Sequence, residues 1–214
     1  VVPARSAAAE PQAGWQVQTP PLTTPWTHQV SPTNALPDYP RPQLTRSRWQ
    51  NLNGVWQFAE ASADATPPTG QNLAERILVP YPVESALSGI KRHVDHMWYR
   101  RTFTVPRTWR GRLLLHFQAV DYQAAVYVNG TKVATHKGGY DSFSADVTDA
   151  LRGTGPQELT VGVDDTTATG SQPVGKQRAS GDGIFYTPSS GIWQTVWMEP
   201  VSATYIERLD TTPD

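Results

Sequence analysis

From Thr166 to Gly183 the chain holds almost no aliphatic residues, and this loop and the overlapping stretch Gly181–Gly191 carry several side chains that can bind a ligand. Asp182, Phe185 and Tyr186 set a carboxylate beside two aromatic rings. An aromatic face stacks on the C–H face of a pyranose while a carboxylate accepts hydrogen bonds from its hydroxyls, so this trio suits the edge of a sugar site. Lys176 and Arg178 lie in the Thr166–Gly183 loop and would pair with the carboxylate of an acidic sugar. A loop as long as Thr166–Gly183 is either functional or disordered, and the alternative for Gly181–Gly191 is packing against its own neighbours.

A second polar group, His93, Asp95 and His96, precedes an alternating apolar segment and reads either as a polar rim or as solvated turn residues. A metal site there would need a fourth ligand and convergent geometry. Asp164-Asp165 would suit an oxygen-liganded structural calcium or an ordinary turn; no other cofactor is implied. The absence of cysteine excludes thiolate nucleophiles, disulfides, iron–sulfur clusters and thiolate zinc sites together. With 18 basic against 19 acidic residues, the net charge of −1 supplies no field to hold a polyanion, so nucleic acid is not an expected partner. No apolar run is long enough for a membrane-spanning helix.

The elements that must position these groups are short and β-rich. Tyr99, Arg101, Phe103 and Val105 alternate with Trp98, Arg100, Thr102 and Thr104; Leu113, Leu115, Phe117 and Leu159, Val161, Val163 repeat the same period of two. Arg100 and Arg101 therefore take opposite faces, with one expected to cross a sheet face to a carboxylate. Asn129-Gly130 between Ala124–Val128 and Lys132–Ala134 is a tight-hairpin signature, because both residues accept positive φ. Ile192, Gln194, Val196 and Met198 form another alternating run, and Thr148–Leu151 suits a single helical turn capped by Thr148. This texture predicts an all-β antiparallel sandwich over 46–205. Residues 1–45 hold nine of the nineteen prolines and read as an extended, irregular arm pinned to the body by Trp15, Trp26 and Tyr39. Residues 206–214 read as the start of a linker to a downstream domain. The chain begins at Val1, and Ala7-Ala8-Ala9 is similar to the material around an export-signal cleavage site, so a secreted protein is expected.

Seven ordered segments resemble the N-terminal sugar-binding domain of glycoside hydrolase family 2, which includes β-galactosidases, β-glucuronidases and β-mannosidases. They are Trp49–Phe58 as an opening strand, Val79–Ser85, Trp98–Phe103, Val126–Gly130, His136–Phe143, Asp146–Thr148 and Ser190–Trp197. The resemblance implies a jelly-roll, galactose-binding-domain-like sandwich with carbohydrate as partner, followed in the parent chain by immunoglobulin-like and TIM-barrel domains. It also implies that the loop around Asp182, Phe185 and Tyr186, with Asp95 and His96 nearby, leans over the barrel mouth. The family's two catalytic glutamates belong to that barrel, and the seven glutamates here show no spacing that would replace the pair. Familiar galactosidases and glucuronidases carry an aspartate six positions before the glycine matched by Gly191; Phe185 stands there in this sequence. The expectation is a non-catalytic domain shaping the pocket rim of an exo-glycosidase. The alternative is a lectin-like module binding polysaccharide on an exposed platform built from Trp109, Trp193 and Trp197, and a third option is a purely structural sandwich.

Overall fold

A computed structural model describes residues 14–180 and 182–213; Ala7-Ala8-Ala9 lies outside them. The strands are β1 (Gln50–Asn51), β2 (Gly54–Glu60), β3 (Glu75–Val79), β4 (His96–Phe103), β5 (Arg112–Phe117), β6 (Val120–Asp121), β7 (Gln123–Val128), β8 (Thr131–Lys137), β9 (Phe143–Asp146), β10 (Gln157–Asp164), β11 (Gly191–Ile192) and β12 (Val196–Val201). They form a six-stranded sheet in the order β3-β2-β4-β10-β7-β8, a four-stranded sheet β1-β12-β5-β9, and the small pair β11-β6. Every strand pairing is antiparallel, and the fold is an all-β sandwich.

Alternation explains which side chains enter the core. In β4, Met97, Tyr99, Arg101 and Phe103 point inward while His96, Trp98, Arg100 and Thr102 face out. Trp56, Phe58, Ile77, Tyr99, Val126 and Val161 from the larger sheet meet Leu115, Phe117, Val196 and Met198 from the smaller one. Arg101 is tolerated among them because its Nη1 donates to the Leu52 and Asn53 carbonyls and its guanidinium lies 5.5 Å over the Trp56 ring. Arg100, on the other face, meets Glu158 of β10 at 2.7 Å.

The β7–β8 hairpin turns on Asn129 (φ 51°) and Gly130 (φ 83°), as the dipeptide predicts. The Asn129 side chain adds bonds of its own, donating to the Ala150 carbonyl and Gln157 Oε1 and accepting from the Glu158 amide. Other local expectations are corrected. The Trp49–Phe58 run is two strands in different sheets, because Asn53 accepts from the Val196 amide and donates to the Ala35 carbonyl, and Gly54 (φ 118°) redirects the chain. The run from Ile192 to Met198 is likewise split between β11 and β12. Thr148 begins a one-turn 3-10 helix but does not cap it; its hydroxyl instead donates to Asp146 and accepts from the Leu113 amide.

All six residues of β12 are buried. A one-sided strand would alternate, so its outer face must be covered, and the segment that covers it is the N-terminal stretch. Glu199, fully buried on that face, accepts from Arg41, Arg46 and the Tyr39 hydroxyl. His116 Nε2 lies 3.1 Å from the same carboxylate but out of line for a hydrogen bond. Burial by itself would raise the Glu199 carboxyl; the His116 ring, the Tyr39 hydroxyl and the Arg41 charge outweigh it and hold it below its usual value. Farther upstream, the Trp15 indole donates to the Ser88 carbonyl and the Gln18 amide to the Ala86 carbonyl. Trp26 does not pin the stretch, because 66% of it is exposed.

Candidate functional site

The register of the larger sheet brings four connections to one end. His96 opposes Asp164, Asp164 opposes Gln123, and Gln123 opposes Lys137. Residues entering β4 and β7 therefore meet those leaving β10 and β8. The Asp165 amide donates to the Asp95 carbonyl, the Gly138 amide to the Tyr122 carbonyl, and the Trp193 indole to the Gly139 carbonyl. Glu84 ties two of the loops together, accepting from the Ser190 amide on Oε2 while Oε1 meets His93 Nδ1 at 2.9 Å. Next to this junction the chain passes over the Tyr99 hydroxyl at Gly191 (φ 86°), where a Cβ would collide with that oxygen. The Ser190-Gly191-Ile192 motif is thus a packing requirement of the site's base.

Lys176, Arg178, Asp182, Phe185 and Tyr186 are brought into one excursion between β10 and β11. The Tyr186 amide donates to the Lys176 carbonyl and the Arg178 amide to the Tyr186 carbonyl, forming a short two-stranded clasp; the turn is closed by the Phe185 amide on the Asp182 carbonyl. Arg178 lies 4.0 Å over the Phe185 ring, and Tyr186 is 66% exposed. A stacked guanidinium beside an open phenol presents a cation and a flat face together.

Asp95 sits at the base of this end, within 2.8 Å of His93 Nε2. His96 does not join it. It begins the outward row of β4, and its Nδ1 meets Asp164 at 2.7 Å on the outer sheet face. Asp164 and Asp165 diverge for the same reason: Asp165 is buried and accepts from the Thr167 amide and the Gln172 side chain. Among the described residues no group of three or more metal-ligating side chains converges. The tryptophan platform is corrected as well. Trp197 is buried under the N-terminal stretch and stacked 4.6 Å from His116, and Trp109 packs against the core.

Asp121 is a residue of this end that neither its type nor its spacing singles out. Asp121 is only 6% exposed, with its carboxylate against the Cα of Gly139. Burial, then the charges of Asp165 and Glu84, push its pKa up to about 7. Asp121, Glu84 and Asp165 are far apart in sequence, so only the strand register reveals their proximity. Burial would lower the His93 imidazole, but Glu84 and Asp95 on its two ring nitrogens raise it above its usual value.

The class defined by fold and site together is an antiparallel β-sandwich that carries a cationic and aromatic loop at one end. A family model described as "Glycosyl hydrolases family 2, sugar binding domain" matches residues 71–196, and the chain belongs to that family. It is similar to a β-glucuronidase of Paenibacillus borealis, 34% identical over 118 residues covering 51% of this chain and 20% of that protein. A β-galactosidase of Thermoanaerobacter pseudethanolicus is 33% identical over 112 residues, 51% of this chain and 14% of that protein. The chain thus spans a small part of these relatives. Among solved structures, a Faecalibacterium prausnitzii β-glucuronidase superposes with a TM-score of 0.57 at 26% identity, over 79% of this chain and 34% of that one. A Lactobacillus rhamnosus β-glucuronidase reaches 0.59 at 22% identity, over 73% and 30%, and supports the fold.

Proposed function

We propose that this chain is the non-catalytic N-terminal domain of an exported family 2 exo-glycosidase that hydrolyses O-glycosyl bonds, and that its loop end shapes the rim of the substrate pocket. The observation carrying this reading is the clasp of residues 176–186, which holds Arg178 on Phe185 and leaves Lys176 and Tyr186 open at the end of the sandwich. A β-glucuronide is the first substrate class to follow from it. The guanidinium and ammonium offer charge-assisted bonds to a uronate, and the names of several similar proteins, though not of the β-galactosidase, point the same way. The acid and nucleophile would come from a downstream barrel. Here Glu84 and Glu199 are engaged in holding loops and the N-terminal stretch.

The test is release of nitrophenol from 4-nitrophenyl β-D-glucuronide, β-D-galactoside and β-D-mannoside. The chain alone is expected to release none. In the parent enzyme, Arg178→Ala is expected to raise KM for the glucuronide about tenfold with little change for the galactoside. Turnover by the isolated chain, or equal effects on all three substrates, would overturn the reading. Export is checked by fractionating the native host.

A further inference from the structure

A cleft of about 330 Å³ lies between residues 26–40 and the body of the sandwich, and no described residue of the 176–186 loop lines it. Trp26 stands at it with 66% of its surface exposed, which leaves an indole at the cleft open to a ligand. Tyr39 and Tyr81 add two more rings. Tyr39 is fixed in place, its hydroxyl 2.9 Å from Glu199 and its ring 5.1 Å edge-on to Trp49. Gln118 is also held, donating through Nε2 to the Pro40 carbonyl, which leaves its Oε1 as an acceptor. Asn34 donates to the Gln29 carbonyl and keeps its own Oδ1. The Tyr81 hydroxyl and the Asp38 carboxylate have no protein partner among the described residues.

Aromatic rings with unused hydroxyl, amide and carboxylate groups between them are the chemistry that grips a sugar ring: C–H faces stack and hydroxyls bond. The volume falls at the small end of the roughly 300–1,000 Å³ usual for ligand pockets. The charge of the lining decides which sugar. Among the described residues no lysine or arginine lines the cleft and Asp38 is its one acidic side chain, so a uronate would meet a carboxyl group with no basic side chain beside it. We propose that this cleft is a carbohydrate subsite, separate from the loop end, that takes a neutral pyranose unit and rejects an acidic one. The proposal stands on the cleft alone and does not depend on the glycosidase reading.

The experiment titrates the chain with methyl β-D-glucopyranoside, cellotriose and methyl β-D-glucuronide at pH 7, following tryptophan fluorescence and heat. Saturable binding of the neutral probes is expected, with the glucuronide at least about tenfold weaker. Trp26→Ala should weaken neutral binding about tenfold. Because the Trp26 side chain makes no hydrogen bond among the described residues and is mostly exposed, unchanged thermal unfolding verifies that the fold is intact. Tyr81→Phe removes only the hydroxyl and should weaken binding by a smaller factor, while Arg178→Ala should have no effect. Absence of saturation with any neutral probe, equal or tighter binding of the glucuronide, or sensitivity to Arg178 rather than Trp26 would overturn the proposal. That last outcome would assign the sugar to the loop end instead.

Discussion

Asp121 shows how a single carboxyl can make the domain's stability depend on pH. Its folded pKa of about 7 stands above the ordinary 3.8, so between those values the folded state keeps a proton that the unfolded chain has lost. Its contribution is complete below about pH 4 and declines as pH rises to about 7. His93, also raised, works in the same direction: its stabilisation is present below the unfolded pKa and lost as pH climbs through the folded one. Glu199 and Asp146, held low, oppose this only in acid, where their stabilisation is lost as pH falls through their folded values. Asp121→Asn is therefore expected to raise the unfolding temperature at pH 8 and leave it nearly unchanged at pH 4. Thermal scans at the two pH values decide it, and an equal shift at both would remove the proposed cause. Residue types alone pointed to Lys176, Arg178, Phe185 and Tyr186, since they sit in one loop. They could not reveal Asp121 or Glu199, whose partners are distant in sequence, and they misplaced His96, because strand parity sends it to the other sheet face.

Among the elements, the N-terminal stretch is held by a small number of buried polar bonds rather than by regular structure. Glu199→Ala would leave Arg41 and Arg46 facing an apolar strand without their shared counter-charge, at a cost of about 3–5 kcal/mol. The measurable outcome is a lower denaturation midpoint with protease cleavage appearing among residues 16–45. Unaltered protection would mean that Trp15 and Gln18 suffice. Strands with strict alternation, such as β4 and β10, were readable because each has one apolar face. β12 was only half readable, because the burial of Trp197 and Glu199 depends on a segment more than 150 residues upstream. The split at Asn53 was hidden for a related reason: an apolar run does not tell which of two sheets each half will join.

For the whole molecule, the fold was legible because its turns and crossings demand particular residues. Asn129-Gly130 needs positive φ, Gly191 must clear Tyr99, and Arg101 must reach the carbonyls where β1 passes into β2. The cleft beside Trp26 was not legible, since it exists only once a segment without periodicity has settled on the sandwich. The larger sheet ends on two edge strands, β3 and β8. Along β8, Thr131, Lys132, Thr135 and Lys137 face solvent, the two lysines lie over Tyr127 and Tyr122, and the register slips at Val126/Tyr127. Positive charge and an irregular ladder make that margin a poor template for a strand from another molecule. Replacing both lysines with valine should produce light scattering that grows with protein concentration while the monomer's unfolding is little altered. On this view β8 is what lets a sheet-rich domain stay dispersed when it is crowded against copies of itself.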